Sequence, residues 1–221
     1  MGGETHTILA ARRSAWYWLL AELFLTCPND EYVARWRRDL SVDESVSGER
    51  VDCAAADVAA LHATLPDAED SPGTMGLAVE YTRLFGAVRT GYGPPPPYES
   101  VHRKAADSGD LVVALNQFYN EAGFAPIDQA VPSDHLGVEL KFVALLCHAE
   151  MEAWQQERAG EARQVLDRQR KFFERHLSQW VPGYLDAVQA NAQHPFYRRL
   201  AILAHKIMTQ DKMAVGGCYV S

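Results

Sequence analysis

The chain has 221 residues, 48% apolar and 23% charged, an ordinary globular composition long enough to bury a sizeable core. Acids outnumber bases 29 to 21, giving a formal charge of −8, which argues against nucleic acid as a partner and favours a cationic one. Cys27, Cys53, Cys147 and Cys218 form no C-x-x-C pair and have no histidines at zinc-finger spacing, so neither a zinc site nor a disulfide framework is signalled, and a reducing cytoplasm is favoured.

Near the N-terminus, Arg12 and Arg13 precede the apolar run Ala15 to Leu25, which has the outline of a twin-arginine export signal. Glu22 interrupts the run, no small-residue cleavage site follows, and Glu4 precedes the arginines. The stretch is therefore read as a first helix from Thr5 to about Thr26, with Ile8, Ala15, Trp16, Leu19, Leu23 and Phe24 at near-heptad spacing. Asn29 or Asp30 caps a second helix bearing Tyr32, Val33, Trp36 and Leu40. A polar stretch, Ser41 to Arg50, leads to an alanine-rich helix over Val51 to Leu65. No run reaches the roughly 20 residues of a membrane span.

A fourth helix is predicted from Thr74 to Phe85, with Leu77, Tyr81, Leu84 and Phe85 on one side. The stretch GYGPPPPYES, Gly91 to Ser100, then breaks the pattern. A helix over Gly109 to Glu121 carries Leu111, Leu115 and Phe118, and Gly123 to Asp134 reads as a connector or hinge. The most apolar helix, Asp134 to Glu157, has the stripe Leu136, Leu140, Val143, Cys147, Met151 and Trp154 and is expected to be central. Helices follow from Gly160 to Trp180, from Pro182, and from Pro195, the last with Phe196, Leu200, Leu203 and Ile207 inward and a frayed tail over residues 214–221. No alternating strand pattern, hairpin turn or repeat interrupts this, so the fold class is all-α, a compact bundle of roughly eight to ten helices. It is read as a single domain over residues 1–221, with a possible division into 1–122, a hinge at 123–133, and 134–213.

Several side-chain groupings carry both a chemical and a structural reading. A di-metal carboxylate enzyme needs a Glu-x-x-His pair on each of two helices, and only Glu99 to His102 supplies one; His135 and Glu139 would have to complete the set. The structural reading of His135 and Glu139, four apart, is an ordinary ion pair. His148 reads as a half-buried core histidine, and Gly86, Gly91 and Gly93 lack the G-K-[ST] ending of a phosphate loop. Asp134, in PSDH, reads first as a cap for the helix it precedes and second as an acceptor for a guanidinium in a cleft. Tyr81, Leu84 and Phe85 are core residues by default.

Taken together, EYTRLFG (Glu80 to Gly86), PPPPYESVH (Pro94 to His102) and PSDHLGVELKF (Pro132 to Phe142) resemble the TorD/DmsD family of redox-enzyme maturation chaperones. The resemblance implies a TorD-like, non-enzymatic, cytoplasmic chaperone. It would bind the twin-arginine signal peptide of a molybdenum enzyme's catalytic subunit and delay export until the molybdopterin cofactor is inserted. Such a leader is a basic pair followed by an apolar run, so its receptor needs acids beside an apolar groove. The resemblance places Tyr81, Leu84 and Phe85 in the peptide-binding region, Gly109 at the start of the next helix, and Pro132, Asp134 and His135 on an opposite, polar part, with Tyr98, Glu99 and Ser100 in the loop motif. It further implies no stably bound cofactor, weak guanine-nucleotide binding, no membrane insertion, and a monomer or a dimer swapped across the Gly123 to Asp134 hinge. Tyr81 stands where relatives often have Trp, and the run of four prolines is longer than the pattern requires. As a polyproline strut of about 12 Å, Pro94 to Pro97 would shape the wall of the groove.

Overall fold

The computed structural model describes residues 2–41, 52–67, 69–86, 93–103, 108–124 and 131–217. Most of the polar stretch after Ser41, Gly91, the middle of the expected hinge and Cys218 lie outside them. The helices are α1 (Gly2–Leu25), α2 (Asp30–Asp39), α3 (Asp52–His62), α4 (Ser71–Phe85), α5 (Glu99–His102), α6 (Ser108–Glu121), α7 (Leu136–Gln155), α8 (Ala159–Phe172), α9 (Ser178–Asn191) and α10 (Pro195–Gly217). Among the described residues there is no strand, and the all-α expectation holds. No described helix is long and apolar enough to cross a membrane.

The chain separates into two compact units, each assembled from discontinuous segments. The first comprises Met1–Leu25, Pro97–Val181 and Thr209–Ser221; the second comprises Thr26–Pro96 and Pro182–Met208. The division read from sequence, at 123–133, falls inside the first unit, whereas one of the chain's crossings lies within the proline run, between Pro96 and Pro97.

In the first unit α7 is the central element, with Leu136, Leu140, Phe142, Val143 and Cys147 fully buried. Burying each large apolar side chain stabilises the fold by about 1.5–3 kcal/mol. α1 and α8 both pack against α7. The helices come close because Gly137 has no side chain: a Cβ there would sit 3.0 Å from the backbone oxygen of Ala21 and collide with Leu25. Phe142 also anchors an aromatic cluster with Tyr119 and Phe172, at ring separations of 4.7 and 4.8 Å.

The face α1 buries keeps only part of the stripe expected from its spacing: Leu23 and Phe24 are buried together with Ala10, Ser14, Tyr17, Leu20 and Ala21, Trp16 and Leu19 are half-buried, and Ile8 is 52% exposed and Ala15 exposed. The apolar residues of this helix are not confined to one stripe, so periodicity alone selects no face. Polar contacts do: Ser14 donates to the Ala144 carbonyl at 2.9 Å, and Arg13 sits in a network formed by α7, α8 and α10. Its guanidinium donates to Glu150 at 2.8 Å, to Gln169 and to Asp211, and Asp211 also accepts from Tyr17 at 2.8 Å. The second arginine of the apparent export signal is thus an internal tie.

The expected single helix from Gly160 to Trp180 divides into α8, a π-helical turn (Phe173–Leu177) and the start of α9. Pro182 does not open a helix; it lies inside α9. Pro195 does open α10, which continues helical to Gly217, past the expected start of the frayed tail.

The second unit is held by α2, α4 and the segments that flank them. Asn29 caps α2 by accepting from the Tyr32 N–H at 2.8 Å, and Asp70 caps α4 by accepting from the Gly73 N–H at 3.0 Å, which starts that helix earlier than expected. Trp36 stacks on Phe196 at 6.0 Å, and Tyr197 donates to the Leu77 carbonyl at 2.9 Å.

Replacing Arg13 by Met leaves Glu150 and Asp211 buried without their cation, and unfolding free energy should drop by about 3–5 kcal/mol in urea titrations. A loss below about 1 kcal/mol would show that the network does not hold α1.

Candidate functional site

Two of the three motifs fold into one clamp in the first unit. The residues after the proline run lie antiparallel to the residues before α7: the Glu99 N–H donates to the Asp134 carbonyl at 2.9 Å, and the Leu136 N–H donates to the Pro97 carbonyl at 2.8 Å. Tyr98 and His135 face each other across this bridge, ring to ring at 5.3 Å.

Asp134 supplies the side-chain part of the clamp. Its Oδ2 accepts from the Ser100 hydroxyl at 2.6 Å and from the Ser100 N–H at 3.2 Å. The expectation that Asp134 caps its own helix is therefore corrected. It caps the one-turn α5, whose own N-cap residue, Tyr98, makes no side-chain cap bond. α7 is capped instead by His135, whose Nδ1 accepts from the Gly137 N–H at 3.0 Å. An accepting Nδ1 places the ring proton on Nε2. Burial lowers the pKa of this imidazole to about 4, against the opposing pull of the Asp134 carboxylate, so the ring is neutral at physiological pH.

Beneath the clamp lies a buried charged group. Glu99 is fully buried; its Oε1 accepts from Arg103 at 2.7 Å, and its Oε2 meets His176 Nδ1 at 2.9 Å. Arg103 also donates to the Arg175 carbonyl at 3.0 Å, which ties α5 to the π-helical turn. Glu139 is fully buried as well, and it makes no ion pair with His135. Burial, reinforced by the Glu99 and Asp134 carboxylates, pushes the Glu139 carboxyl well above the usual range, against the Trp180 indole and Arg103. Burial thus favours the protonated, neutral form of Glu139 in the core.

This geometry does not fit the di-metal alternative. Among the described residues no group of three or more His, Cys, Asp or Glu could hold a metal ion. Glu99 is engaged by Arg103 and His176, the His135 Nδ1 is taken by its own helix, and His102 stacks on Trp180 at 5.2 Å. His148, expected to be half-buried, is exposed and pairs with Glu152 at 3.6 Å.

The third motif lies in the second unit and is described by itself. Leu84 and Phe85 are buried core residues, and Tyr81 is half-buried. Tyr81, Phe85 and Tyr197 form an aromatic cluster with ring separations of 5.1 and 5.5 Å. Beside it, Glu80 accepts from Arg83 at 2.6 and 2.7 Å and from the Gln193 N–H at 2.6 Å. Burial alone would raise this carboxyl, but the bonds from Arg83, Gln193 and His194 outweigh it and hold it below the usual range. Gly93 brings the start of the proline run against the Arg83 carbonyl, an approach that a Cβ would block.

Of the other expected site residues, Pro132 is exposed, Tyr98 and Ser100 are half-buried, and Gly109 is exposed at the start of α6 with open space where a Cβ would stand. Sequence reasoning missed Arg103, His176 and Trp180. His176 pairs with a glutamate 77 positions away, and no local spacing announces such a contact.

Residues 51–186 match the family model described as nitrate reductase delta subunit. The chain is 31% identical over 185 residues to the Tat proofreading chaperone DmsD of Salmonella typhi, covering 82% of this chain and 74% of that protein. It is 28% identical over 218 residues to the chaperone protein TorD of Vibrio cholerae serotype O1 (strain M66-2), covering 93% and 92% of the two chains.

A Glu139→Gln substitution tests the neutral-acid assignment. A carboxyl whose folded pKa exceeds its unfolded value takes up a proton on folding, so its contribution to stability falls as pH rises above about 4.5. Relative to wild type, the Gln variant should therefore gain up to about 1.4 kcal/mol per pH unit between about pH 5 and 7 in urea titrations. A difference independent of pH would mean that Glu139 is ionised in the fold.

Proposed function

The chain belongs to the TorD/DmsD family of chaperones and is not an enzyme; from that premise we propose that it is a cytoplasmic, system-specific chaperone for the catalytic subunit of a molybdenum-cofactor oxidoreductase. It binds the subunit's twin-arginine leader, assists cofactor insertion, and delays export until folding is complete. The observation that carries this reading is the clamp: two separate sequence motifs are spent on one rigid junction, built around a buried aspartate, in a chain whose relatives are named as chaperones.

Exposure divides the work among the proposed binding residues. Leu84, Phe85, Glu99, Asp134 and His135 are buried, so their part is to fix the backbone and the neighbouring rings. Tyr98, Ser100, Pro132 and Gly109 in the first unit, and Tyr81 in the second, retain accessible surface and are available for contact. Aromatic rings suit a leader because they offer apolar area with little rotamer entropy to lose on binding. Pro94 to Pro97 hold the chain leading into the clamp in a restricted conformation.

Titrating a synthetic twin-arginine leader into the protein tests the proposal. Wild type should bind, and Tyr81→Ala combined with Tyr98→Ala should weaken binding by about tenfold or more, with helix content unchanged. Asp134→Ala should also weaken binding, by freeing α5. A protein that ignores the leader, or variants that bind like wild type, would contradict this assignment.

A further inference from the structure

The outward side of α4 differs from that of α8. On α8 and the turn that follows, the water-facing positions are a ladder of ions, with Asp167, Arg170, Lys171 and Glu174 joined in pairs. On α4 the positions at helical spacing, Pro72, Met75, Val79 and Thr82, are exposed and carry no charge. Met75 is 70% exposed and Val79 65% exposed. The opposite side of the helix already buries Leu77, Leu84 and Phe85 in the core. The outward strip is therefore apolar surface with no structural use inside the unit, about 15 Å long at a rise of about 1.5 Å per residue.

Its N-terminal end is acidic. Asp67, Glu69 and Asp70 are exposed where α4 begins, and Asp30, at the start of α2, accepts from the Ser71 hydroxyl at 3.0 Å. Asp70 serves as the cap, and Asp67 lies 3.2 Å from Arg37. One cap satisfies the helix end; the further carboxylates exceed that need. The surface thus presents negative charge at one end, followed along the helix by a neutral apolar strip.

We propose that this outer face of α4 docks a peptide segment in which a cationic pair precedes an apolar run, with the cations at the Asp67 to Asp70 end and the apolar side chains along Met75 and Val79. The inference rests on the leader-binding reading above and adds to it a second contact surface, on the opposite side of α4 from Leu84 and Phe85. Charge decides the occupant: an anionic lipid surface is repelled by the acidic end, whereas a twin-arginine leader matches both the sign and the order of the two features.

Fluorescence anisotropy with the full chain and two synthetic peptides separates the outcomes. One peptide has two consecutive arginines followed by an apolar run; the other carries glutamines in place of the arginines. Met75→Gln with Val79→Gln should lower affinity for the first peptide by about tenfold at every salt concentration. Asp67→Asn with Glu69→Gln should lower it at low salt only, and should shrink the penalty for removing the peptide's arginines. These positions are exposed, and Gln is a good helix former, so folding is preserved. If wild type binds neither peptide, the leader-binding reading fails and this inference fails with it. If wild type binds the first peptide and both double variants bind it equally well, this inference alone is overturned. It is overturned too if the Met75 and Val79 changes alter only the oligomeric state, because the strip would then be a contact between copies of this chain.

Discussion

The junction between the proline run and the central helix depends on one carboxylate. Asp134 sits just ahead of α7 and reaches back to Ser100, 34 positions earlier, where it bonds both the hydroxyl and the backbone N–H. With it in place, the Tyr98–His135 bridge closes, α5 acquires a cap it cannot make for itself, and Glu99 is directed inward to Arg103 and His176. A hydrogen bond to a charged group is worth about 1.5–3 kcal/mol, and here it organises a turn of helix too short to persist alone.

That junction helps explain why this part of the interior tolerates so much polarity. Glu99, Glu139, Asp134, His135 and His176 are all buried within one unit, a costly arrangement unless each group is paired or neutral. Glu99 is paired, Asp134 is bonded, His135 is neutral because burial disfavours its charged form, and burial favours the protonated form of Glu139. The same principle governs Arg13 at another point of the unit, where two carboxylates and an amide surround one guanidinium.

The fold was largely legible because helix signals are local. The α7 stripe from Leu136 to Cys147, a cap for α2 at Asn29 or Asp30 and the opening of α10 at Pro195 could be read from spacing and end residues alone. Three features were not legible, each for a physical reason. The apolar residues of α1 are not confined to one stripe, so its buried face is chosen by Ser14 and Arg13, whose partners lie far along the chain. The π turn before Pro182 depends on packing around Phe173 and Leu177. The exchange of roles between Asp134 and His135 also escaped, because either residue can cap a helix and only the position of Ser100 decides which does. At the site, sequence resemblance put Asp134 and His135 in one group and Tyr98 and Ser100 in another, and the contacts that join the two groups in one clamp were not part of that reading. It did not separate buried members from accessible ones, since the motif records which residues occur and not how deeply each is packed.

Recognition of the client through its leader is the step on which the proposed role of this chaperone turns. It is tested by co-purification of the tagged protein with the catalytic subunit of the proposed molybdoenzyme client, expressed with and without that leader, under conditions where both forms of the subunit are equally abundant. Leader recognition predicts recovery of the leader-bearing form and loss of most of the leaderless one. Equal recovery of the two would contradict it and place recognition on the body of the enzyme.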